Sequence, residues 1–143
     1  MDDWTYCQQT LPKVSRTFAL NIKTLKGELH RSVLIAYLFC RTVDTIEDAA
    51  ELSPKIKIEL LLEFSHLIEN RKYRVDHIDS WLDNCIIVDG SSNDLDLLRN
   101  IKRVFNIFDS LRNNYQDQII PAVSKMAKGM AHFQSRFQFG EIT

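Results

Sequence analysis

YLFCRTVDTIEDA, residues 37–49, is the stretch whose reading decides the fold. It extends an uncharged run, Ser32 to Cys40, and then sets down four charges: Arg41, Asp44, Glu47 and Asp48. At about 100° per residue, Tyr37, Arg41, Asp44 and Asp48 fall within roughly 60° of arc on a helix. His30 and Val33 lie upstream on the same strip. Ile35, Leu38, Phe39, Val43 and Ile46 cover the other side and are expected to be core. A helix that is apolar nearly all round through its middle is enclosed on both sides, so its polar strip is expected to line an interior cavity.

The rest of the chain supports an all-α fold. With 4 Gly and 3 Pro in 143 residues it has few breakers, and its apolar residues follow a 3.6-residue period. Trp4, Cys7 and Leu11 predict a short first helix stopped near Pro12, and RTFALNI carries a second element to Leu25. The long helix is expected from about Gly27 to Ala50. Ser53-Pro54, an N-cap hydroxyl before a proline at the first helical position, opens the next one, with its stripe of Ile56, Leu60, Phe64, Leu67 and Ile68 and an end near Asn70. DGSSND, residues 89–94, predicts a loop capping a helix through Leu97, Leu98, Ile101, Val104, Phe105 and Phe108. Asn113-Asn114 is read as the break before a last helix over about 116–136. No linker or repeat divides the chain, so residues 1–143 are expected to form a single helical domain.

Composition excludes several function classes. The net charge is −1, from 18 basic and 19 acidic residues, with no polybasic tract for nucleic acid. Cys7, Cys40 and Cys85 fit neither a disulfide framework nor a CxxC motif, which implies reduced thiols and a cytoplasmic setting. The N-terminus lacks a signal-peptide pattern, and the apolar runs fall well short of the about 18 residues of a membrane span. Asp76, Asp79, Asp83, Asp94 and Asp96 are expected to be solvated, and His30, His66, His77 and His132 have no metal-site spacing.

The charged strip admits two readings by spacing alone. In one it is a solvated helix end, whose charge neighbours carry little energy. In the other it binds a ligand. Three carboxylates near a helix C-terminus are disfavoured by the macrodipole by about 0.3–1 kcal/mol each, so local stability does not select them. Carboxylates at i, i+3 and i+4 suit a hard divalent cation such as magnesium, which could in turn bind phosphate oxygens. Arg41, one turn before Asp44, and Arg16 in SRTF (15–18) could donate to those oxygens. Taken alone, SRTF reads first as an ordinary capping segment with Ser15 as N-cap.

SRTFAL at 15–20, then YLFCRTVDTIED at 37–48, then KMAKGMAHF at 125–133 resemble, in order, the motifs of the squalene and phytoene synthase family, the head-to-head prenyltransferases. DTIED is closer to the squalene synthase type. The resemblance implies the isoprenoid (terpenoid) synthase-type helical bundle, here its first half. It implies a reaction that joins two prenyl diphosphates, with farnesyl diphosphate as the expected substrate, through magnesium-assisted loss of diphosphate. By match, Asp44, Glu47 and Asp48 are magnesium ligands, and Tyr37, Arg41, Asp44 and Asp48 carry the catalytic roles. Ser15, Arg16, Thr17, Tyr37 and Arg41 hold diphosphate, Phe18 borders the cavity, and Gly129, Met130 and Phe133 shape the prenyl channel. NADPH enters where squalene is the product.

Gly129 inside a helix is otherwise explained by close helix packing, and Phe105 and Phe108 are read as core. The chain stops at FQFGEIT, about halfway through the family pattern and before its second aspartate-rich motif. The expectation is therefore that a second polypeptide or self-association completes the cavity. An apolar product also makes a peripheral membrane setting an expectation. The alternatives are a catalytically inactive assembly or interaction module and a prenyl-diphosphate binding protein of the same superfamily.

Overall fold

The computed structural model describes residues 1–138. Among them the helices run α1 (Asp3–Val14), α2 (Arg16–Asn21), α3 (Gly27–Asp48), α4 (Pro54–Glu69), α5 (Arg71–Asn84), α6 (Ser92–Arg99), α7 (Ile101–Ser110) and α8 (Asn113–Gln138), with single 3-10 turns at Ile22–Thr24 and Cys85–Ile87. The all-α expectation holds. No helix among the described residues is long and apolar enough to cross a membrane.

The helices group into two compact units. The first comprises Met1–Thr42 and Ser91–Ile119; the second comprises Val43–Gly90 and the chain from Ile120 onward. α3 and α8 each pass from one unit to the other along their length.

The first unit is built on the apolar side of α3. Ile35, Leu38 and Phe39 are wholly buried, as the wheel predicted. The Phe39 ring lies 4.8 Å from Phe105 and 5.5 Å from Phe108. Both α7 rings are buried, so their core reading is correct. Aromatic pairs at this spacing add about 0.5–1.5 kcal/mol beyond area burial. Polar ties secure the rim: Tyr6 donates its hydroxyl to Asp96 at 2.8 Å, and Glu28 accepts from the Arg112 backbone N–H at 2.7 Å.

The second unit buries Val43 and Ile46 from the end of α3, Leu61, Phe64 and Leu67 from α4, and Val123 and Ala127 from α8. Trp81 of α5 is almost wholly buried, with its ring 5.3 Å from Phe64 and its indole N–H donating to the Leu60 carbonyl at 3.0 Å. Asn70 serves two helices. Its backbone N–H closes α4 onto His66, and its side chain accepts from Tyr73 N–H to open α5. Ser53 caps α4 by accepting from Ile56 N–H, as its position before Pro54 indicated.

Three sequence expectations need correction, and one helix had none. Pro12 does not stop α1, which continues to Val14. The carbonyl it leaves unpaired belongs to Gln8, an exposed residue that water can reach. The helix through Leu97 and Phe108 is two helices parted at Asn100, not one. The break expected at Asn113-Asn114 falls just before it, at Leu111 and Arg112, and Asn113 begins α8. Finally, α5 was not anticipated. Its buried residues are Arg74, Ile78 and Trp81, and the first of these reads as polar, which hides the apolar period. Arg74 is buried because it donates to the Leu67 carbonyl at 2.9 Å, near the C-terminal end of α4.

Candidate functional site

Ser15 ends α1 and starts α2. Its N–H donates to the Leu11 carbonyl at 2.8 Å, and its hydroxyl accepts from Phe18 N–H at 3.2 Å. The capping role foreseen for SRTF is therefore present, and it fixes the direction in which the segment leaves α1. Arg16 and Thr17 remain exposed in the first turn of α2, while Phe18 turns inward and stacks on Tyr37, centroids 4.1 Å apart and planes 15° from parallel. Within the first unit this stack brings SRTF to the strip of α3 that carries Tyr37 and, one turn on, Arg41.

Arg41 is not an isolated cation. Its Nε and Nη2 donate to the two carboxylate oxygens of Asp94, each at 3.0 Å. Asp94 stands in the first turn of α6, its own N–H donating to the Ser91 hydroxyl at 3.2 Å. The helix N-terminus also favours its charge. The expectation that Asp94 is a solvated acid is corrected by this pair, whereas Asp96 is exposed as expected and also accepts from the Tyr6 hydroxyl. Sequence reading missed Asp94 because its partner lies far away along the chain, where no local spacing rule reaches. The one available signal was Ser91, three residues ahead, which marks Asp94 as a first-turn residue.

A cleft of about 560 Å³ also lies in the first unit, lined by apolar Leu11, Ile22 and Leu34 and by basic Arg16, Lys23 and His30. His30 is tethered, its Nδ1 lying 3.2 Å from the Ile22 carbonyl.

The second unit holds the acidic end of α3. Asp44 and Glu47 are half-buried and Asp48 is exposed. Lys57 of α4 donates its ammonium to the Glu47 carbonyl, and Asp89 accepts from the N–H groups of Ala50 and Glu51 at 3.2 and 3.0 Å. A cation on a C-terminal carbonyl offsets the dipole penalty that made three acids there unexpected. Buried Gln134 of α8 reaches the Glu47 carboxylate at 3.5 Å. Neither Lys57 nor Gln134 was picked out from the sequence, since each acts across helices.

Among the described residues, no three carboxylate, imidazole or thiol side chains converge into a ready cage for a metal ion. Magnesium does not demand one, because it keeps several waters and takes one or two carboxylates together with phosphate oxygens. Asp44, Glu47 and Asp48, hard oxygen donors on successive turns of one helix, fit that coordination chemistry.

On α8, Met130 is half-buried, whereas Phe133 is 44% exposed and forms an edge contact with the equally open Phe137, centroids 5.1 Å apart. Close packing does not explain Gly129. It is exposed, and a Cβ added there would meet no heavy atom within 4 Å.

The fold and the ordered motifs define a helical protein of the isoprenoid synthase type, and comparison with known proteins makes the class specific. The squalene/phytoene synthase family profile matches residues 11–142, and the chain belongs to that family. It is 34% identical over 130 residues to the squalene synthase of Eremothecium gossypii, covering 89% of this chain and 26% of that protein. It is 33% identical over 131 residues to the squalene synthase of Nicotiana benthamiana, covering 92% and 29%. The solved structure of the squalene synthase TcSQS with a ligand, BPH1237, matches with a TM-score of 0.77 and 29% identity, over 94% of this chain and 36% of that one. The chain thus spans about a quarter to a third of the relatives it matches.

Proposed function

We propose that this chain carries the first diphosphate-handling part of a head-to-head prenyl coupling, acting on farnesyl diphosphate. Family membership supports the reaction class, and the Phe18–Tyr37 stack is the observation that carries the site, because it sets SRTF beside the helix strip bearing Arg41. Arg16 and Arg41 bind and orient the diphosphate oxygens, with the hydroxyls of Ser15, Thr17 and Tyr37 as further donors. Asp44, Glu47 and Asp48 would hold magnesium. When bound, the ion supplies Lewis-acid neutralisation of the charge that gathers on the departing diphosphate. Phe18 in the first unit and, separately, Met130 and Phe133 in the second offer apolar surface of the kind that suits a prenyl chain and excludes water. In this reading a second polypeptide or self-association completes the cavity.

The test replaces Asp44 and Asp48 together with Asn and measures binding of a non-hydrolysable farnesyl diphosphate analogue in the presence of magnesium. Loss of the magnesium-dependent part of the affinity is expected. An unchanged isotherm would overturn the metal assignment.

A further inference from the structure

We propose that Asp94 is a positioning residue for Arg41, holding its guanidinium in the orientation that grips diphosphate. The inference rests on the reading of Arg41 as a diphosphate ligand and assigns a role to a residue outside the family motifs quoted above.

The geometry argues for positioning rather than a chance surface pair. Both carboxylate oxygens of Asp94 are engaged, each at 3.0 Å, and its side chain is only 15% exposed. Both partners stand on fixed backbone. Asp94 is in the capped first turn of α6, followed by buried Leu97 and Leu98, and Arg41 is flanked on α3 by buried Leu38 and Thr42. The carboxylate grips the side edge of the fork, Nε with Nη2. The end-on edge, Nη1 with Nη2, is the other geometry in which a guanidinium meets two phosphate oxygens at once. A long arginine loses rotamer freedom when it binds, and a partner that has already restrained it removes that cost from the binding step. The opposing effect, neutralisation of Arg41 by the Asp94 charge, is screened because the arginine is 34% exposed, and it weakens further with salt. Restraint of a side chain is not screened, so the two effects separate with ionic strength.

The experiment titrates the full chain with inorganic pyrophosphate and magnesium, at low and high salt. It compares wild type, Asp94→Ala, Asp94→Asn, Arg41→Ala and the Arg41→Ala/Asp94→Ala double variant, with thermal melts confirming that each folds. Asp94→Ala should weaken binding roughly three- to tenfold, at both salt concentrations. Asp94→Asn, of the same shape, should weaken it less. In the Arg41→Ala background the Asp94 substitution should change nothing. Unchanged or tighter binding by Asp94→Ala would overturn the inference, as would an equal loss in the Arg41→Ala background. If instead wild type fails to bind, or Arg41→Ala binds like wild type, the diphosphate reading of Arg41 falls and takes this inference with it.

Discussion

Gly129 gives up about 1 kcal/mol of helix stability relative to alanine, and the open space around it returns nothing. Gly129→Ala should therefore stabilise the chain by about 0.5–1 kcal/mol, read as a higher urea midpoint at unchanged slope. A lower midpoint would mean that packing against this position does matter. Single residues were also where the sequence was hardest to read. The wheel placed Ile35, Leu38, Phe39, Val43 and Ile46 in the core correctly, because burial on one helix is a local periodic property. Asp94 was misjudged because its environment is set by Arg41 on another helix, and Arg74, which donates to the Leu67 carbonyl, drew no reading at all. A carboxylate or guanidinium carries no mark in its own neighbourhood to say that such a partner exists.

At the scale of elements, α8 is tied to the end of α4 through Glu69, which accepts from the Ser124 hydroxyl at 2.6 Å and pairs with Lys128 at 2.8 Å. Lys128 and then Ser124 hold its carboxyl below the ordinary 4.5. A carboxyl lowered on folding stabilises most when both states are ionised, above the ordinary value, and loses that contribution as pH falls through the folded value. The stability difference between wild type and Glu69→Gln should therefore be constant near neutral pH and shrink below about 4.5. A difference that grows on acidification would contradict the assignment. Element boundaries were legible where a cap announced them, as at Ser15 and Ser53. They were not legible at Asn113 or across α5, where asparagine is equally at home in a turn and a first helical turn, and where a buried arginine stands in for an apolar residue.

At the scale of the whole chain, each unit has its own core and its own share of the proposed chemistry. The first holds SRTF, Tyr37 and Arg41, and the second holds Asp44, Glu47 and Asp48. Burial pushes the thiols of Cys7 in the first unit and Cys85 in the second up to about 12, so their resistance to alkylation reports that both cores are formed. The family was legible from three motifs in order, a property of the chain that needs no tertiary contact, whereas the partners that set Arg41 and Glu47 became visible only in the fold. The central claim, as proposed, is that this chain binds a prenyl diphosphate only with magnesium. The most direct measurement is a calorimetric titration of the 143-residue chain with a non-hydrolysable farnesyl diphosphate analogue, with and without magnesium. Saturable binding that requires the ion is predicted; a chain whose Cys7 and Cys85 stay protected, yet which shows no magnesium-dependent heat, would contradict the account.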